Sequence, residues 1–208
     1  MRTLTDEKRQ AIMTAASAVF QEHGYERASM NEVARRAGGS KATLYNYFPS
    51  KEALFEAVVR TYSTHYLTEA AGDILNEDGS ELSLESKLQR FGKGMLSVLM
   101  SDSQALQLYR VVVGEAGHSD IGALFYESGV RESMEMLASL MKSHMEQGDL
   151  AENCPMLRAR QFSALLKAEV DELLLKKEMG TFSESRVTEM VAAAVNLFLA
   201  GACRRTDS

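Results

Sequence analysis

A chain of 208 residues, 45% of them apolar and 25% charged, has the composition of one or two folded domains rather than of a disordered or fibrous protein. Two prolines, no tryptophan and an abundance of Ala, Leu, Glu and Met favour helix, and no stretch sustains the period-two alternation of a half-buried strand, so an all-α fold is expected. The net charge of −6 argues against a nucleic-acid partner only when averaged: residues 1 to 66 carry nine basic and seven acidic side chains, the remainder fourteen and twenty-two, so the acidity lies in the C-terminal part.

The first helix is expected from about Thr5 to His23, with Thr5 as cap, Asp6 and Glu7 on the positive end of the dipole, and Gly24 as the stop. Its inner stripe is Ile12, Ala16, Val19 and Phe20. A short second helix follows, with Met30, Val33, Ala34 and Ala37 on one face, and Gly38-Gly39 supplies the permissive backbone of a tight turn. Ser40 caps a third helix. Its Leu44 and Phe48 face inward, while Ala42, Thr43 and Asn46 point outward between Tyr45 and Tyr47. Pro49-Ser50 closes it, and a fourth helix from Lys51 to about Leu75 carries Leu54, Phe55, Val58, Val59 and Tyr62. Asn76 to Ser80 is the clearest linker. Five more helical segments are expected near 83–101, 103–115, 120–147, 155–178 and 183–203, with a frayed tail from Arg204 to Ser208.

The segment MRTLTDEKRQ has no apolar core of signal-peptide type, and no run reaches the roughly 20 apolar residues of a membrane span, so a cytoplasmic location without membrane contact is expected. Cys154 and Cys203 belong to no CxxC pattern, which predicts neither a disulfide framework nor a metal site, and no cofactor. His23, His65, His118 and His144 are scattered, and no HExxH, GxSxG, P-loop or dinucleotide fingerprint occurs, so an enzyme is not expected.

The spacing of Ser29, Ala37-Gly38, Ser40, Leu44-Tyr45, Tyr47-Phe48 and Ser50-Lys51-Glu52 closely resembles the DNA-binding domain of TetR/AcrR-type bacterial regulators, over roughly residues 5 to 60. The chain departs from that pattern at Gly39, where such proteins usually carry a branched apolar residue, and a looser turn is expected there. More weakly, LYRVVVGEAG and FYESG resemble the sensing domain of the AefR-like branch. The resemblance implies a helix-turn-helix domain over 1–50 and a helical ligand-binding and dimerisation domain over 51–208, the helix from Lys51 bridging them. It implies a homodimeric regulator, most simply a repressor, on pseudo-palindromic double-stranded DNA, released by a small-molecule effector.

Carried onto this chain, the DNA-contacting positions are Ser29, Asn31, Ser40, Lys41, Ala42, Thr43, Tyr45, Asn46, Tyr47 and Lys51. Hydroxyls and lysines address phosphates; Asn46, Thr43 and the Ala42 methyl address base edges. Arg2, Arg27 and Arg35 extend the basic surface. Soft and aromatic side chains in the later helices are compatible with an apolar pocket: Phe91, Met95, Leu99, Tyr109, Arg110, Val113, Phe125, Tyr126, Met134, Phe162 and Leu166. The last two helices carry broad apolar stripes that predict a four-helix dimer bundle through Leu165, Glu169, Val170, Leu173, Val191, Val195 and Phe198. The charges of Arg110 and Glu169 interrupt apolar stretches and call for partners. Two other readings are compatible with the sequence: a helical dimer carrying a hydrophobic molecule, and a protein-interaction adaptor with vestigial DNA binding.

Overall fold

The computed structural model describes residues 5–75, 82–100, 104–178 and 180–203; Arg2, the Asn76–Ser80 linker and the tail from Arg204 lie outside the described residues. The fold is all-α, in the order α1 (Asp6–Arg27), α2 (Met30–Arg36), α3 (Lys41–Tyr47), α4 (Lys51–Val59), α5 (His65–Leu75), α6 (Leu84–Leu96), α7 (Gln104–Glu115), α8 (Ile121–Phe125), α9 (Arg131–Glu146), α10 (Pro155–Lys167), α11 (Val170–Leu174) and α12 (Glu184–Ala202). Among the described residues no helix is long and apolar enough to cross a membrane.

Backbone contacts group these helices into two compact units, Met1–His65 with Gln104–Gly129, and Tyr66–Ser103 with Val130–Ser208. The first unit is built on the stripe Ile12, Val19 and Phe20 of α1, against Leu44 and Phe48 of α3 and Leu54, Phe55, Val58 and Val59 of α4. Phe20 and Tyr25 both lie 5.1 Å or 5.9 Å from an aromatic neighbour, Phe20 edge-on to Phe55 at 5.1 Å and stacked on Tyr25 at 5.9 Å. Leu108 and Val112 of α7 and Ile121 of α8 complete this core. This grouping differs from a linear division at residue 50. Three short helices bury too little apolar surface to stand alone, and the segments that cover them come from some ninety residues further along, beyond the reach of local periodicity.

In the second unit Phe162 lies between Phe91 and Phe198, with ring centroids 6.2 and 5.2 Å away. A Cβ on Gly92 would lie 2.8 and 2.9 Å from atoms of Val191 and Leu166, so α6 approaches α10 and α12 only because position 92 has no side chain. Phe182 N–H donates to the Leu99 carbonyl at 2.8 Å, and Ala151 N–H to that of Ala202 at 2.9 Å, tying loops to helix ends.

Four expected helices are interrupted or change pitch. The segment near 155–178 breaks after Lys167, with Ala168 and Glu169 between α10 and α11. The segment near 120–147 contains a π-turn over Tyr126–Val130 in which Gly129 takes φ +146°. The fourth helix also passes through a π-turn, Arg60–Thr64, and the two turns are joined by the buried Thr64 hydroxyl, which donates to the Ser128 carbonyl at 2.6 Å. The helix near 83–101 ends its α-helical part at Leu96 and closes with a 3₁₀ turn over Ser97–Leu99. None of these breaks is marked by proline.

Candidate nucleic-acid interface

The pair α2–α3 is seated by its apolar residues and leaves its polar ones outside. Val33, Ala34, Leu44 and Phe48 are buried, whereas Asn31, Lys41, Ala42, Tyr45 and Asn46 are exposed and Thr43 and Tyr47 half-buried. The Ser40 hydroxyl accepts the Thr43 N–H at 3.1 Å and lies 2.9 Å from the Thr43 hydroxyl, so it serves the start of α3. Ser29, by contrast, occupies the cap position of α2 with no side-chain cap bond; its exposed hydroxyl is not spent on the helix. The Tyr47 hydroxyl oxygen accepts the Thr5 N–H at 2.8 Å, which fixes the ring while leaving its own proton to donate. The Lys41 ammonium stands 5.8 Å over the Tyr45 ring, one helical turn on.

Lys51 is placed differently from the rest of the expected contact set. Its ammonium donates to the carbonyls of Tyr25 (2.8 Å) and Glu26 (3.0 Å) and stands 4.5 Å over the Tyr25 ring. From the other side of the same peptides, the Glu115 carboxylate accepts the Tyr25 N–H through both oxygens and the Glu26 N–H through one, each at 3.0 Å. Gly24, at φ +77°, makes this possible: a Cβ there would lie 2.0 Å from Glu115 Oε1. Residues 24 to 26 thus form a polar hub between α1, α4 and α7. Burial, with Glu52 second, pushes the Tyr25 hydroxyl well above its ordinary value, so the ring stays neutral within it. The glycine was legible as a helix stop; Glu115, some ninety residues away, carried no local signal of its role.

A second polar cluster joins α1 to α2. Arg36 bridges Glu22 (2.7 and 2.6 Å) and Glu32 (3.1 and 2.6 Å), and its guanidinium holds both carboxyls below the ordinary carboxylate range. Glu22, His23 and Glu32 bring ligand-type atoms within 4.8 Å of one another, but Arg36 already satisfies both carboxylates, so the cluster serves an ion pair. A depressed carboxyl pKa contributes stability that is present above the unfolded value, about 4.3, and is lost as pH falls through the folded one. Arg36→Gln should therefore melt lower than the parent near pH 7, and the gap should narrow as pH falls below the unfolded carboxyl value, as read by thermal melts across that range. Of the other expected basic groups, Arg27 donates to the His23 carbonyl at 3.2 Å, and Arg35 is exposed beside Glu32 at 3.7 Å.

Two family models match this chain: bacterial regulatory proteins of the tetR family over residues 12–58, and the AefR-like transcriptional repressor C-terminal domain over residues 86–201. The chain belongs to the TetR family. A TetR-family transcriptional regulator from Pseudomonas syringae pv. tomato superposes with a TM-score of 0.74 at 32% identity, covering 97% of this chain and all of that one. The flavonoid-responsive regulator FrrA superposes at 0.72 with 28% identity, over 97% and 100%. The transcriptional activator FasR of Mycolicibacterium smegmatis is 47% identical over 57 residues, 27% of this chain and 26% of its own length. The chain thus matches only about a quarter of that curated relative. Like other TetR proteins, it is a DNA-binding transcriptional regulator and not an enzyme.

The expected pocket residues of this TetR protein are divided between its units. Phe91, Met95, Leu99, Met134, Phe162 and Leu166 are all buried in the second unit. Tyr109 and Phe125, 5.4 Å apart, belong with Arg110, Val113 and Tyr126 to the first; Val113 and Tyr126 are exposed. A cavity of about 540 Å³ in the second unit is lined by Leu84, Lys87, His144, Asp149, Leu199 and Cys203, none of them in the expected set.

The expected dimer residues also separate. Val170, Leu173, Val191, Val195 and Phe198 are buried within the single chain, Leu165 is half-buried, and Glu169 is exposed and paired with Arg186. A helix apolar nearly all round has an inner and an outer face, and periodicity alone does not say which one meets a second copy. The outward apolar side chains are Leu157 on α10 and Leu197 on α12, 44% and 63% exposed.

Proposed function

We propose that this protein is a homodimeric repressor that reads a pseudo-palindromic operator through α3 and is released by a small apolar effector. In this division of labour residues 1–50 read DNA, and residues 51–208 bind the effector and the second copy. The observation that carries the reading is the two-sidedness of α3: Leu44 is buried at 1% exposure, while Lys41, Ala42, Tyr45 and Asn46 are open to solvent on the other side. A short helix held from below, presenting an amide, a methyl, a hydroxyl and a lysine, offers what a major groove accepts. Thr43 joins Asn46 and Ala42 at the base edges, and Ser29, Asn31, Ser40 and Tyr47 serve as backbone contacts. Lys51 supports them through residues 25 and 26 rather than adding a phosphate contact.

The second copy packs on the outer face of α10 and α12, centred on Leu157, Leu165 and Leu197, since the inner face is already filled. The effector is apolar because the interior of the second unit is: Phe91, Met95, Leu99, Met134, Phe162 and Leu166 offer no charge. FrrA, by its name, answers to flavonoids, and FasR is named an activator. Repression is the simpler outcome for a dimer that only occludes DNA. The protein acts in the cytoplasm, where the DNA is.

Footprinting on the DNA upstream of its own gene tests this reading. Two protected half-sites about 34 to 36 Å apart, lost on adding an apolar compound that binds the protein, are expected. A single protected site, or protection unchanged across a broad set of such compounds, contradicts it.

A further inference from the structure

At its centre, Gly38-Gly39, the turn between α2 and α3 carries no side chain. Gly38 takes φ +66°, and Gly39 follows with its N–H on the Ala34 carbonyl at 2.9 Å. The carbonyls of Ala37 and Gly38 leave the negative end of α2, where a cation is favoured. The cation comes from another helix. Lys8, in the first turn of α1, donates its ammonium to the Ala37 carbonyl at 2.6 Å and the Gly38 carbonyl at 3.0 Å. Its Cε and Nζ both lie 3.4 Å from where a Cβ on Gly39 would stand, so the lysine stem packs at van der Waals distance against the side of the turn that the glycine leaves bare.

The same end of α1 grips the far end of α3. Thr5, the α1 cap, donates its N–H to the Tyr47 hydroxyl at 2.8 Å and accepts the Lys8 N–H at 3.3 Å. One helix start therefore holds α3 at both ends, through Lys8 before it and Tyr47 after it. The looser turn expected from Gly39 is countered by a residue thirty positions earlier.

We propose that Lys8 is a positioning residue for DNA recognition, its ammonium and stem fixing the α2–α3 turn in place of a side chain at position 39. The proposal rests on the reading of α3 as the recognition helix. Lys8 touches no base in this account; it acts through the angle at which Thr43, Tyr45 and Asn46 leave the turn.

The test is operator binding by the full-length protein, at several salt concentrations, with thermal melts alongside. Lys8→Met keeps the stem and removes the ammonium, and should bind the operator about tenfold more weakly, with the salt slope unchanged. Lys8→Arg should bind within about threefold of the parent. Lys8→Ala/Gly39→Val moves the plug from α1 to the turn and should recover most of what Lys8→Ala loses, a non-additivity that independent sites do not show. Undiminished binding by Lys8→Met overturns the proposal. So does a loss that Gly39→Val fails to recover and that lowers the salt slope by about one, the signature of a direct phosphate contact. If the parent itself shows no preference for operator over unrelated DNA, the reading of α3 fails first and the proposal with it.

Discussion

Glu115→Ala should lower the melting temperature by roughly 5 to 10 °C, the largest effect expected of any partly exposed side chain in the first unit. A hydrogen bond to a charged group contributes about 1.5 to 3 kcal/mol, and each kcal/mol moves a chain of this size by about 2 to 4 °C. Glu115 accepts the N–H groups of Tyr25 and Glu26 at 3.0 Å each. Removing it leaves the part-buried Tyr25 N–H to seek water and leaves Lys51 alone on the carbonyl side of the hub. Glu115→Gln should fall between the parent and alanine. Gly24→Ala arrives at the same place from the other direction: its φ of +77° with ψ 174° costs an L-residue about 1 to 3 kcal/mol, and its Cβ displaces the Glu115 carboxylate. In the Glu115→Ala background Gly24→Ala should keep the backbone cost and shed the rest, so the pair should be less than additive in a differential scanning series.

Tyr45→Ala/Asn46→Ala should leave the melting temperature within about 2 °C of the parent and weaken operator binding by about a hundredfold or more. Both side chains are exposed and neither forms part of the core. A well-placed base contact such as Asn46 contributes about 1 to 3 kcal/mol of discrimination, and loss of the Tyr45 hydroxyl removes a phosphate contact as well, so the two together reach that range. Lys51→Ala should behave in the opposite way. Its ammonium is bound to two carbonyls and covers the Tyr25 ring, so stability should fall while the salt dependence of DNA binding stays nearly constant. The contrast separates residues that read from residues that hold.

Much of the first unit was legible because local rules suffice for it. Thr5, Ser40 and Ser50 cap the helices they precede, Gly24 and Gly38 take the positive φ that glycine tolerates, and Leu44 and Phe48 turn inward as their spacing predicts. The family was legible for the same reason, since its motif is a string of caps, turns and spacings. What stayed hidden is long-range. Lys51 has the look of a phosphate contact until the fold places residues 25 and 26 under its ammonium. Lys8 and Glu115 are ordinary surface charges until the fold delivers backbone groups to them. The stripe of α12 shows that Val191, Val195 and Phe198 are buried, but not by what; the inner face belongs to Phe162 and its neighbours. The breaks at Ala168 and at the π-turns have no proline or glycine pair to announce them, apart from the single Gly129.

The central claim is that α3 reads DNA sequence, and the ratio of operator affinity to affinity for unrelated DNA measures it most directly. Titrations at near-physiological salt should give the parent a ratio of about a thousand or more, and Tyr45→Ala/Asn46→Ala a ratio that falls by about tenfold or more, the Asn46 share of the loss falling on the operator alone. A folded double variant that keeps the parent's ratio would contradict the account.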